Sequence, residues 1–248
     1  MNDTESKQFT NPLLVQAYDS INALDEDAKF WLRETEKLKP KSIIDFGCGT
    51  GLLTCVLAEK GYQVIGIDPA EPMVELAKQK PFAEKVTWIV GDYNALEGHS
   101  ADLLLMTSHV AQFLLTEEEW QGMLTNAFEA LSQGGHILFD SRRSLTESFK
   151  KWPTKESPRH VTDPKLGAIE YWCNILNTTD TIANYELHYE FKDLNQKVVS
   201  TDSIIFRSKN TIEKSLKEVG FTIKTVYGNW DSSEFTETSP EMLFLAQK

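Results

Sequence analysis

Apolar residues recur along this chain with two periods, and the switch between them marks out its parts. Between residues 12 and 38, Leu13, Leu14, Ala17, Tyr18 and Ile21, then Ala28, Trp31, Leu32, Thr35 and Leu38, return every three or four positions with polar residues between. The spacing predicts two helices broken around Leu24-Asp25-Glu26. Ser42-Ile43-Ile44-Asp45-Phe46 then reads as a short apolar strand running into glycines, and a helical pattern follows over 52–60 until Gly61 stops it. The unit repeats as a strand at 63–67, a helix at 72–80 with Pro72 in its first turn, and a strand at 86–90. Next come a strand at 102–106, a helix at 116–131 opened by Thr116 with Glu119 three residues on, and a strand at 136–139. Strands alternating with helices predict a doubly wound α/β fold, a mostly parallel sheet covered on both faces.

From 140 to 210 the period changes. After a polar stretch containing Pro153, Pro158 and Pro164, three consecutive strands are expected at 168–176, 182–191 and 198–206. In the second, Tyr185, Leu187, Tyr189 and Phe191 alternate with Glu186, His188 and Glu190, giving one buried and one wetter face. The parallel pattern resumes with a helix at 211–219 stopped by Gly220, a strand at 221–227 and a last strand at 241–246. The expected division is a helical N-terminus and ligand-binding core at 1–140, an antiparallel insert at 141–209, and a completion of the core sheet at 210–248.

Composition narrows the partners. With 37 acidic and 25 basic residues among 248, the net charge of −12 repels phosphate backbones and anionic headgroups, so neither nucleic acid nor membrane is expected. The N-terminal stretch Met1 to Lys7 lacks the order of a secretory signal and no apolar run approaches a membrane span, which favours a cytoplasmic location. Cys48, Cys55 and Cys173 form no CxxC pair, so neither a disulfide framework nor a metal site is expected.

The most informative run is Ile43-Ile44-Asp45-Phe46-Gly47-Cys48-Gly49-Thr50-Gly51, a strand and then glycines at alternate positions. Such glycines permit a tight turn and let a ligand approach bare backbone. A dinucleotide fingerprint needs GxGxxG, but here the third glycine comes one residue early and Leu52 follows it. No GK[ST] follows, which excludes a P-loop. Asp45 at the strand end would repel a diphosphate and favour a cationic amino or sulfonium group.

The run resembles motif I of the class I S-adenosylmethionine-dependent methyltransferases, whose other landmarks appear in order over roughly residues 41–140. The resemblance implies a Rossmann-like seven-stranded sheet, S-adenosylmethionine as cofactor, and cofactor contacts from Asp45, Gly47, Gly49 and Gly51. It further places Asp68 and Pro69 at the ribose, Met73 on adenine, Asp92 and Tyr93 at the adenine amine, and Ser108 and Tyr18 beside the cofactor. The Gly134-Gly135 turn and fifth strand match as well, and the insert resembles the antiparallel lid of small-molecule members.

Methyl transfer from a sulfonium is an in-line displacement, in which aligning the nucleophile and excluding water do most of the work. His109, after the fourth strand, is either the base that takes the nucleophile's proton or a cap on the following helix. Acceptor contacts are expected from Arg142, Tyr171, His188 and Trp230, with Arg142 and Arg143 either holding an acidic group or lying on the surface. The aromatics Tyr171, Trp172, Tyr185, Tyr189 and Phe191, with Tyr18 and Trp31, suit an apolar pocket wall, while the alternation of Tyr185, Tyr189 and Phe191 favours the core of the insert for those three. The expected activity is transfer to nitrogen or oxygen of a small molecule. An RNA or protein acceptor, or a non-catalytic cofactor-binding module, are the alternatives.

Overall fold

Ile43 and Ile44 are both completely buried, one in each of the two largest hydrophobic clusters, so the strand that carries them must be covered on both faces. That strand, β1 (Ser42–Phe46), is central in the computed structural model, which describes residues 7–143 and 148–248. The stretch before Lys7, read above for a secretory signal, lies outside the described residues. Three helices precede β1: α1 (Lys7–Thr10), α2 (Pro12–Ile21) and α3 (Glu26–Leu38). After it come α4 (Leu52–Glu59), β2 (Gln63–Asp68), α5 (Glu71–Ala77), β3 (Val86–Val90), β4 (Ala101–Met106), α6 (Glu117–Ala130) and β5 (Leu131–Arg142). The capping box expected at Thr116 and Glu119 is present, each side chain bonded to the other's backbone N–H.

Four strands follow, β6 (Arg159–Asp163), β7 (Gly167–Thr178), β8 (Ile182–Phe191) and β9 (Gln196–Ile205), paired antiparallel in that order as a separate sheet. The chain then closes with α7 (Lys209–Val219), β10 (Thr222–Tyr227) and β11 (Glu241–Gln247). The seven-stranded sheet has the order β10-β11-β5-β4-β1-β2-β3, parallel except that β11 runs against both neighbours. No helix among the described residues is long and apolar enough to cross a membrane.

Two expectations need correction. The insert has four strands, because β6 is an edge strand whose residues Arg159, His160, Thr162 and Asp163 give no apolar alternation to read. β5 is longer than the predicted 136–139: Gly134-Gly135 lies inside it, with Gly134 at φ +80° and a register shift against β4. The N-terminal helices serve the insert as well as the core. Leu14 and Ala17 of α2 pack with Ile169, Tyr171, Tyr189 and Phe191 on the inner face of the four-stranded sheet.

Candidate active site

The carboxyl ends of β1, β2, β4 and β5 open into one cavity of about 680 Å³, within the range that suits small ligands. α2, α3 and the inner face of the four-stranded sheet wall it in.

At one end lies the glycine loop. The N–H groups of Gly47 and Cys48 both donate to the carbonyl of Ile67, at 2.8 and 3.1 Å, which bends the chain off β1. All three glycines have positive φ, yet they face different neighbours. A Cβ on Gly47 would lie 2.4 Å from Val110, and one on Gly51 would lie 2.6 Å from the Trp88 ring. One on Gly49 would meet only Met73, at an ordinary 3.6 Å. Gly47 and Gly51 thus admit protein side chains, whereas Gly49 leaves its backbone open to a ligand. Gly47 and Gly49 line the cavity, whereas Gly51, also expected at the cofactor, does not.

Asp68, at the end of β2, accepts from Gly49 N–H at 2.8 Å and from Ala70 N–H at 2.9 Å, fixing both loops. Burial raises its pKa. Asp45 is 1% exposed; its Oδ2 accepts from Thr54 Oγ1 at 2.6 Å, while its Oδ1 is buried without a partner. Burial, with Asp68 adding repulsion, pushes the Asp45 carboxyl up to about 6. A buried carboxylate oxygen lacking a donor beside an open stretch of glycine backbone is suited to an ammonium-bearing nucleoside. The residues present therefore fit S-adenosylmethionine.

Tyr18 of α2, Pro69, Met73 and Ser108 line the same end of the cavity. Asp19 receives hydrogen bonds from Thr50 in the glycine loop and Lys80 beyond α5, so α2 is tied across this end. Asp92 and Tyr93 are not among the lining residues. Asp92 caps a short turn by accepting from Asn94 N–H at 2.9 Å, and the Tyr93 ring packs against Gly122 of α6.

The other end holds His109. Ser108 and His109 are both left-handed, at φ +56° and +64°, a strained pair of the kind that clusters at functional sites. The turn aims His109 N–H at both oxygens of fully buried Asp140, 3.0 Å from each. The imidazole Nε2 lies 3.1 Å from Glu241 Oε2 and 3.2 Å from Asp140 Oδ2. Nδ1 makes no hydrogen bond to any described residue, and the ring lines the cavity. Burial, helped by Arg142, lowers His109 to about 4, so the ring is neutral near pH 7. Burial also raises Asp140 to about 6 and Glu241 to about 7.

Arg142 lies over the Trp152 ring and donates to Gln112 Oε1 at 2.9 Å, within the cavity wall. Arg143 turns away to the Ser239 carbonyl. Trp230 lines the cavity, edge-on to His109, Phe30 and Trp31. Tyr171 is there too, together with Tyr185 and Tyr189. His188 is not: it stacks on Trp172 on the outer face of the sheet, bonded to Glu186. Alternation along β8 demands this, since Leu187 and Tyr189 flank it and face inward.

Sequence reasoning missed Asp27 of α3, which lines the cavity, and Glu241, which reaches His109 only because β11 inserts beside β5. No periodicity or motif marks either residue.

The methyltransferase domain family matches residues 43–135. An uncharacterized methyltransferase from Alkaliphilus oremlandii is 30% identical over 161 residues, 62% of this chain and 71% of that protein. The cypemycin N-terminal methyltransferase of a Streptomyces species is 25% identical over 94% of this chain and 95% of its own. Among solved structures, the sugar N-methyltransferase KedS8 from Streptoalloteichus shares the fold with a TM-score of 0.75, at 15% identity, over 100% of this chain and 95% of that one. With the glycine loop, the acids at the strand ends and the seven-stranded sheet in place, this chain belongs to the class I S-adenosylmethionine-dependent methyltransferases.

Proposed function

We propose that this enzyme methylates an amine nitrogen of a small molecule, with His109 taking the proton that the amine must lose. The observation that carries the reading is the unpartnered Nδ1 of a neutral His109 in the cavity wall, with Nε2 held between two carboxylates. When bound, S-adenosylmethionine supplies a methyl group activated by its sulfonium charge.

In this reading Asp45 holds the ammonium of the cofactor, Asp68 and Pro69 its ribose, and Met73 and Tyr18 its adenine side. Gly47, Gly49 and Ser108 supply backbone close to it. At the acceptor end, Asp27 and Asp140 provide negative charge that draws in a protonated amine. Ionised Glu241 and Asp140 keep the ring proton on Nε2, which leaves the Nδ1 lone pair facing the acceptor. Trp230, Tyr171 and Arg142 enclose the acceptor and exclude water. The relatives support nitrogen, since KedS8 is named a sugar N-methyltransferase and the cypemycin enzyme an N-terminal methyltransferase.

Calorimetry with S-adenosylhomocysteine tests the cofactor site. A labelled-methyl screen of small-molecule amines against tRNA and whole protein then tests the acceptor class. Label entering tRNA or protein in preference to small amines overturns the proposal.

A further inference from the structure

Four tyrosines line the cavity, Tyr18, Tyr171, Tyr185 and Tyr189, and none of their hydroxyls has a hydrogen-bond partner among the described residues. Three of them stand together on the inner face of the insert, where Tyr171 of β7 is paired in register with Tyr189 of β8 and Tyr185 lies four residues before it. These three side chains belong to residues only 7, 5 and 4% exposed. Buried phenols normally find a partner, and elsewhere this protein provides one: Tyr227 donates to Glu34 at 2.9 Å. On the same inner face, Ser200 donates to Asp202 at 2.8 Å. The three buried tyrosines left without such a bond, Tyr171, Tyr185 and Tyr189, all line the cavity.

We infer that the acceptor is a small amine carrying several hydroxyl groups, bound through the hydroxyls of Tyr171, Tyr185 and Tyr189. The inference rests on the amine-methylating activity proposed above and adds the chemistry that recognises the rest of the molecule. A neutral phenol both donates and accepts, so its natural complement is another hydroxyl. Burial and nearby Asp202 keep Tyr185 and Tyr189 un-ionised. An apolar amine would displace water from three hydroxyls without replacing its hydrogen bonds.

An acidic acceptor fits less well. Asp140 and Glu241 flank Arg142, and Gln112 already takes one of its N–H groups, so the one buried guanidinium of the wall is compensated within the protein. The aromatic surfaces complete the fit. Tyr171 and Tyr189 are stacked at 6.0 Å, and Tyr185 meets Trp152 edge-on at 5.0 Å, offering flat apolar walls to the C–H faces of a compact ring or chain.

Calorimetry on the full chain saturated with S-adenosylhomocysteine tests this, with glucosamine, cyclohexylamine and glycylglycine as probes. Glucosamine is expected to bind at least about 10-fold more tightly than cyclohexylamine or glycylglycine. Each lost hydrogen bond is worth about 2- to 10-fold, so Tyr185→Phe with Tyr189→Phe should weaken glucosamine about 10-fold or more while leaving S-adenosylhomocysteine affinity within twofold. Tyr171→Phe provides an independent variant with its ring packing intact. Equal binding of cyclohexylamine or glycylglycine, glucosamine affinity unchanged in the phenylalanine variants, or no glucosamine binding to the saturated wild type overturns the inference alone. Failure of S-adenosylhomocysteine to bind overturns the underlying reading as well.

Discussion

Glu241 Oε2 lies 3.1 Å from Nε2 of His109, although 132 positions separate the two residues along the chain. The contact exists because β11 runs antiparallel to β5 with Glu241 opposite Arg142, and only β5 separates it from the β4 end that leads into His109. It ties the candidate proton acceptor to a carboxylate that itself titrates near neutrality.

That pairing makes activity depend on pH in a defined direction. The groups facing the ring are Asp140, Arg142, Asp27 and Glu241, and Glu241 in turn faces Arg142 and Lys151. Below about 7, protonated Glu241 donates to Nε2 and places the ring proton on Nδ1; above it, ionised Glu241 accepts from Nε2–H and frees the Nδ1 lone pair. The kcat profile is expected to rise through pH about 7 and then level. Glu241→Gln should remove that rise, and His109→Ala should lower kcat by about 10²- to 10⁴-fold with cofactor affinity unchanged. Nitrogen-15 NMR of the ring should show Nε2–H at pH about 8, and an Nδ1–H signal there would contradict the arrangement.

Asp45 carries a cost for folding. Its folded pKa of about 6 exceeds the unfolded value of roughly 3.9, so it destabilises the fold where it is ionised, fully above about 6 and not at all below about 4. Asp45→Asn is therefore expected to raise unfolding free energy by about 3 kcal/mol at pH 8, a gain that vanishes by pH about 4. Urea denaturation at the two pH values measures it. The same variant should bind S-adenosylmethionine more weakly, because the amide no longer pairs with an ammonium.

Asp68 holds two backbone N–H groups and faces the cavity, so its loss acts twice. Asp68→Ala is expected to weaken S-adenosylhomocysteine binding by about 1 to 3 kcal/mol by calorimetry. Unchanged affinity would remove Asp68 from the cofactor site.

Gly47 is required by a neighbour as well as by its φ of +75°. Gly47→Ala should destabilise the protein by about 1 to 3 kcal/mol, since its Cβ would lie 2.4 Å from a Val110 methyl. Adding Val110→Ala should recover part of that loss, leaving the backbone strain. Additive losses in the double-mutant cycle would show that the two residues do not meet.

Much of the core was legible from local pattern. The β1 loop, the capping box at Thr116 and the alternation along β8 each depend on residues within a few positions, where side-chain period and turn chemistry act directly. β6 was missed because an edge strand of polar residues has no apolar face to betray it. His188 stacks on Trp172 on the outer face, as the alternation along β8 requires, and Asp92 caps a turn, the ordinary use of an aspartate after a strand.

The sequence by itself determined the sheet, the glycine turn and the acids at the ends of β1 and β2, because hydrophobic period and backbone permissiveness are written residue by residue. Only the tertiary structure decided which polar atoms meet. Glu241 reaches His109 through strand order, Gly47 and Gly51 are claimed by Val110 and Trp88, and the phenols of β7 and β8 are left facing the cavity. Those outcomes depend on contacts between segments far apart in the chain, and no local rule sets them until the layers have packed.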